Sequence, residues 1–188
     1  MTVITFIVLI FIFHLNEFLK NNHKFQLLQV DKTLLDYRQY FLENLPIIFT
    51  NHLDFKKNIR DNIQYLISPL TIRQKNIHNN YSNKFISHHK DRLFIYSDKE
   101  ILINLISPSE YDKFISSDVY DPNLKLFKIK NKNYNFIEVK LTPGNIIYIP
   151  KNWIIHSNNS YNIYFSESIF SFIFTFYEIF PFIKNKLF

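Results

Sequence analysis

Cysteine and alanine are absent from this chain of 188 residues, and glycine, tryptophan and methionine occur once each. Without cysteine there is no disulfide, no thiolate metal site and no cysteine nucleophile, and the redox compartment is left open. A single glycine leaves no phosphate-cradling glycine-rich loop and no G-x-S-x-G nucleophile elbow. A His-Glu-x-x-His zinc helix is also missing. Phe, Tyr, Ile, Asn and Lys dominate instead. Their codons are AT-rich, whereas those of Ala, Gly and Arg are GC-rich. The composition therefore points to a very AT-rich genome, such as that of a large DNA virus, an intracellular parasite or a symbiont. The same bias supplies lysine, which weakens the usual reading of a net charge of +6 as a nucleic-acid footprint. The sequence argues against a nucleic-acid partner.

The hydrophobic fraction of 47% is enough for a real core, and the length suits one domain plus an extra segment. That segment is 1–20. Thr2 to Phe13 is an uncharged apolar run, followed by Lys20 and Lys24. It lacks the basic start and small-residue cleavage site of a signal peptide. By itself it falls short of the roughly 20 residues of a spanning helix, but with its flanks to Leu19 it can span. The expectation is an uncleaved, single-pass N-terminal membrane anchor. Lysines after the run favour a cytoplasmic body.

In the body, Asp31–Asn44 and His52–Leu66 show helical spacing of apolar residues, with a short strand at Leu45–Thr50 between them. Ser68 to Ser87 reads as polar loop with one strand, Thr71–Ile77. Strands are expected at Arg92–Tyr96, Ile101–Ile106, Ile146–Ile149 and Tyr161–Phe165. Ser107 is placed to cap a short helix over Tyr111–Ile115. Lys125 to Lys140 alternates basic and apolar residues, as a strand pair with one solvated face would. Ser168 to Phe182 is strongly aromatic and reads as a last core strand and helix or as a membrane-facing helix. Asn80-Tyr81-Ser82 and Asn158-Asn159-Ser160 match the glycosylation sequon, which chance supplies in so asparagine-rich a chain. Helices first and short strands after give an α+β fold with a mainly β core.

The lone glycine lies in Thr142-Pro143-Gly144-Asn145, which suits a type II turn with φ > 0 at its third residue. The stretch Leu141-Thr-Pro-Gly-Asn-Ile-Ile-Tyr-Ile-Pro-Lys-Asn-Trp-Ile-Ile-His156 resembles the closing motif of the cupin-like and JmjC-type 2-oxoglutarate oxygenases, L-x-P-G-D-x-L-Y-I-P-x-x-W-W-H. The turn, the Tyr-Ile-Pro, the Trp and the His are read as following in the same order and spacing, with Asn145 for the Asp and Ile154 for the second Trp. Ser97 to Pro108 resembles the family's G-x-K-x-x-x-L-x-x-P strand without its glycine, and Leu45–Thr50 resembles its Pro-led opening strand.

The resemblance implies a double-stranded β-helix (cupin, or jelly-roll) with N-terminal helices over 30–188. It also implies an Fe(II)/2-oxoglutarate-dependent hydroxylase of protein side chains. A 2-His-1-carboxylate triad on Fe(II) would then be His89, Asp91 and His156, with Lys99 binding 2-oxoglutarate. His89-Lys90-Asp91 has the family's His-x-Asp form but sits closer to Lys99 than is usual. A gap-free register would put Lys84 and Ile86 at the ligand positions. Either the intervening hairpin is shortened, or the iron site is lost. The second case leaves a non-catalytic, membrane-anchored cupin-fold scaffold or interaction protein with a protein partner.

Overall fold

A computed structural model describes residues 5, 8, 9, 11, 12, 15, 24–31, 40, 41, 43–54, 57–67, 71–79, 82–88, 90–120, 124–171 and 173. It is built mainly of strands, in two six-stranded sheets. Along the chain come β1 (Leu28–Asp31), β2 (Ile47–Thr50), a short helix α1 (Ile59–Ile63) with a 3-10 turn (Gln64–Leu66), then β3 (Thr71–Asn79), β4 (Phe85–Ser87), β5 (Arg92–Tyr96) and β6 (Ile101–Ile106). A second 3-10 turn (Pro108–Lys113) leads to β7 (Phe114–Tyr120), β8 (Lys125–Ile129), β9 (Ile137–Leu141), β10 (Ile146–Ile149), β11 (Ile154–His156) and β12 (Tyr161–Ser168). The first sheet has the order β1-β2-β10-β5-β12-β3, and the second β7-β8-β4-β11-β6-β9. Every pairing is antiparallel except β1 with β2.

Period-two alternation explains how the sheets stack. Leu93, Ile95, Ile147, Ile149, Ile163 and Phe165 of the first sheet share one buried cluster with Ile86, Ile103, Leu105, Val139, Leu141 and Ile155 of the second. The sheets therefore pack face to face over an aliphatic interior, with Trp153 in the same cluster. The intervening residues of the first sheet face the other way. Phe49, Phe94, Ile146, Tyr148 and Tyr164 form a second cluster with Phe41, Ile63 and Leu66 of the helical segments. Arg92 ties these layers together: its guanidinium lies 4.1 Å from the centroid of the Phe41 ring, and its Nη1 donates to the Leu66 carbonyl. β10 is thus buried on both faces, which is why its four residues are all large and apolar. A smaller cluster on the outer face of the second sheet joins Ile106, Phe114 and Ile154 to Phe85, Tyr111, Phe127 and Tyr134.

Several expectations change. Leu28–Asp31 is a strand, held by parallel pairing with β2, and of Asp31–Asn44 only Tyr40 and Phe41 are helical among the described residues. His52–Leu66 is helical only from Ile59. β4 lies in what reads as polar loop. Ser107 does cap, its Oγ accepting from the Ser109 N–H at 3.3 Å, but it caps the 3-10 turn Pro108–Lys113, and Phe114 begins a strand. β8 and β9 exist but do not pair with each other: β8 lies between β7 and β4, and β9 pairs with β6.

The glycine turn carries the chain from the second sheet to the first. Gly144 has φ +89, and the Asn145 N–H reaches the Thr142 carbonyl at 3.2 Å. Asn145 fastens the turn, its Nδ2 donating to Thr142 Oγ1 at 2.9 Å and its Oδ1 accepting from the Asn51 N–H at 2.9 Å. The Leu53 N–H donates to the Gly144 carbonyl at 2.9 Å. A Cβ at Gly144 would meet nothing within 4 Å, so the requirement is one of backbone angle alone. Gly144→Ala should therefore cost about 1–2 kcal/mol in denaturant unfolding, and Gly144→Asn less, because asparagine tolerates positive φ. An alanine variant as stable as the parent would contradict this.

Candidate functional site

Of the residues singled out by the resemblance, Asp91, Lys99 and His156 are described, and each has its own setting. Asp91 precedes β5 and Lys99 lies in the turn that follows it, so they occupy opposite ends of that strand. Lys99 is exposed, its backbone N–H donating to Ser97 Oγ at 3.1 Å. It borders a polar cleft of about 410 Å³, with His78, Asn159 and Asn162. At its edge His78 Nδ1 and Asn162 Oδ1, register partners on β3 and β12, are 2.9 Å apart. His89 lies outside the described residues.

His156 closes β11, and alternation decides where it points. Trp153 and Ile155 face the aliphatic interior, while Ile154 belongs to the outer cluster. His156 shares the side of Ile154. Its imidazole stacks on the Phe85 ring, with centroids 4.4 Å apart and planes 18° from parallel. Phe85 is its register partner on β4 and itself packs in the outer cluster. Partial burial pushes the imidazole below the usual histidine range. Counted from Trp153, the family pattern puts its histidine two residues on, and here that position is Ile155. The spacing agrees from Leu141 through Trp153 and slips by one at the histidine, which in a strand exchanges inside for outside.

At the end of the sheets where Asp91 lies, the ionisable groups are already engaged. Asp91 Oδ2 accepts from the Ser168 N–H, and burial raises its carboxyl above the usual range. Burial likewise pushes the neighbouring Lys151 ammonium down to about 8, with the Asp91 charge opposing the shift. His88 is buried, and its Nε2 donates to the Ile149 carbonyl at 3.1 Å. Lys90 and Glu167 form an ion pair with both side chains almost fully buried, Lys90 Nζ donating to Glu167 Oε1. Arg73 Nη1 stands 3.6 Å from Glu167 Oε2, and Lys90 Nζ lies 5.3 Å from the Phe165 ring centroid. Among the described residues, no three His, Asp or Glu side chains gather closely enough to hold a metal ion.

Sequence reasoning missed the Lys90–Glu167 pair. One signal was present: Glu167 is the only charged residue from Tyr161 to Tyr177. A lone glutamate in so apolar a stretch needs a cationic partner if it is buried. The bulge at Glu167/Ser168 marks where β12 departs from regular pairing around this pair.

Neither a family model nor a curated protein matches the chain.

Removing one partner of a buried ion pair strands the other charge. Glu167→Gln should destabilise the fold by about 3 kcal/mol or more, whereas Lys90→Met combined with Glu167→Leu should fall within about 1 kcal/mol of the parent or exceed it. Urea unfolding of the three proteins checks this. Equal losses in the single and double variants would contradict a mutually compensated pair.

Proposed function

We propose that this chain is a cupin-like double-stranded β-helix whose interior serves as structural core, and that it acts as a non-catalytic, membrane-attached scaffold or interaction protein. The order in which the chain visits its sheets supports the fold. β3, β4, β5 and β6 alternate between the first and second sheets, β7 and β8 extend the second, and β9, β10, β11 and β12 alternate again. A wound pair of sheets generates that alternation.

One observation carries the functional half of the reading: the inward position near the end of the closing motif holds Ile155, while His156 stacks on Phe85 on the outside. Iron and 2-oxoglutarate need a polar opening between the sheets, with donors aimed at one point. Here that space is filled by aliphatic side chains, Asp91 is committed to the Ser168 N–H, and the His88 Nε2–H to the Ile149 carbonyl. The described donor set does not fit Fe(II). Lys99, at the far end of β5, stands apart from Asp91 and gives a cosubstrate no second anchor beside it.

Membrane attachment rests on the uncharged run from Thr2 to Phe13. Among the described residues no helix is long and apolar enough to cross a membrane.

The test sets this reading against the hydroxylase. The full chain, incubated with Fe(II), ascorbate and 2-oxoglutarate, should release no more succinate than a His156→Ala variant. Mn(II) should leave the Tm of both proteins unchanged. Saturable Mn(II) binding that disappears in His156→Ala, accompanied by succinate release, would restore the oxygenase reading with His89, Asp91 and His156 as ligands.

A further inference from the structure

We propose that helical segments from both ends of the chain form one lipid-docking surface, so that the C-terminal segment, as well as the N-terminal run, seats the body on an anionic bilayer. This rests on the membrane attachment proposed above and extends it to a second element.

Thr5, Val8, Leu9, Phe11, Ile12 and Leu15 are all helical, and so are Ile169, Phe170, Ser171 and Ile173. The two segments touch: the Phe11 and Phe170 ring centroids are 4.9 Å apart, with planes tilted by 51°. The C-terminal segment is fixed to the core strand that precedes it. Ser168 ends β12, and its Oγ accepts from the Phe170 N–H at 3.2 Å and from the Ser171 N–H at 3.4 Å, capping the helix. Phe170 and Ser171 face inward and are buried, while Ile169 and Ile173, one turn apart on a shared face, are 49% and 52% exposed. Across the Phe11–Phe170 contact, Val8, Leu9, Phe11 and Ile12 are 48–59% exposed. Six large apolar side chains on two touching elements make a clustered exposure, unlike the single exposed apolar residues scattered over the sheets.

Charge selects the occupant. No charge interrupts Thr2 to Phe13, and only Glu178 interrupts Ile169 to Ile183. Both stretches are followed by lysines, Lys20 and Lys24 after the first, Lys184 and Lys186 after the second, in a chain of net charge +6. Lysines outnumber the acidic residues Glu17 and Glu178 beside the two stretches, an excess of one sign that disfavours self-association. Lipid chains accept the isoleucine and phenylalanine faces, and anionic headgroups attract the lysines.

The experiment is flotation of the full chain with vesicles of phosphatidylcholine, with and without phosphatidylserine. The parent should float with both and more completely with phosphatidylserine, the excess disappearing at high salt. Ile169→Asp combined with Ile173→Asp should lower partitioning about tenfold or more. These sites are exposed, and unchanged Trp153 fluorescence confirms that the variant folds. If it floats like the parent while Val8→Asp with Leu9→Asp does not, the N-terminal attachment stands and the two-segment surface is overturned. If the parent fails to float, or is a stable dimer that ignores vesicles, both are overturned.

Discussion

Successive side chains of a β-strand leave on opposite faces, and this rule governs what the molecule can do. From Leu141 to His156 the chain crosses between sheets twice, and each crossing must deliver the right residues to the interior. Gly144 makes the first, using a backbone angle that side chains resist. Pro150 to Trp153 makes the second, with Asn152 at φ 65 and its N–H donating to the His88 carbonyl at 3.0 Å. With both turns fixed, Ile147, Ile149, Trp153 and Ile155 fall inside, and Ile154 and His156 fall outside. A single residue between tryptophan and histidine separates a ligand aimed between the sheets from an imidazole stacked on a surface phenylalanine.

The most deeply buried charges of the described residues are paired. Lys90 neutralises Glu167 where β12 bulges, and Arg73 stands at the rim with much of its side chain in solvent. Asp91 and Lys151 flank this cluster, and burial disfavours the charged form of each. On the opposite face of β10, burial pushes the Tyr148 hydroxyl up to about 12, and its ring meets the Phe41 ring edge-on at 4.8 Å. These groups are engaged in holding elements together.

Local pattern was enough for the central strands. Arg92–Tyr96, Ile101–Ile106 and Ile146–Ile149 stand where the apolar runs place them, because strands with most positions buried need large side chains along most of their length. β4 was hidden: it has three residues, polar flanks, and depends on β8 and β11 for its pairing. β1 was hidden for a similar reason, being held by a parallel neighbour nineteen residues away in register. The strands within Lys125–Lys140 were legible but their partners were not, since alternation reveals a face and never names the strand beside it. The turn at Gly144 was readable from Pro-Gly chemistry. Reading His156 as the motif's histidine passed over the extra residue after Trp153, and its outward direction and stacking on Phe85 required the fold. The lone charge of Glu167 signals a need for a cationic partner, but Lys90 stands 77 positions away and no local pattern names it.

The most direct test of the central claim is a proton NMR titration of the His156 imidazole, assigned with a His156→Gln variant. The account predicts resonances displaced by the ring current of Phe85, a midpoint below that of an unperturbed histidine because burial disfavours the charged ring, loss of that displacement in Phe85→Leu, and no broadening on addition of Mn(II). Resonances indifferent to Phe85→Leu and selectively broadened by Mn(II) would place the imidazole at a metal site and contradict the account.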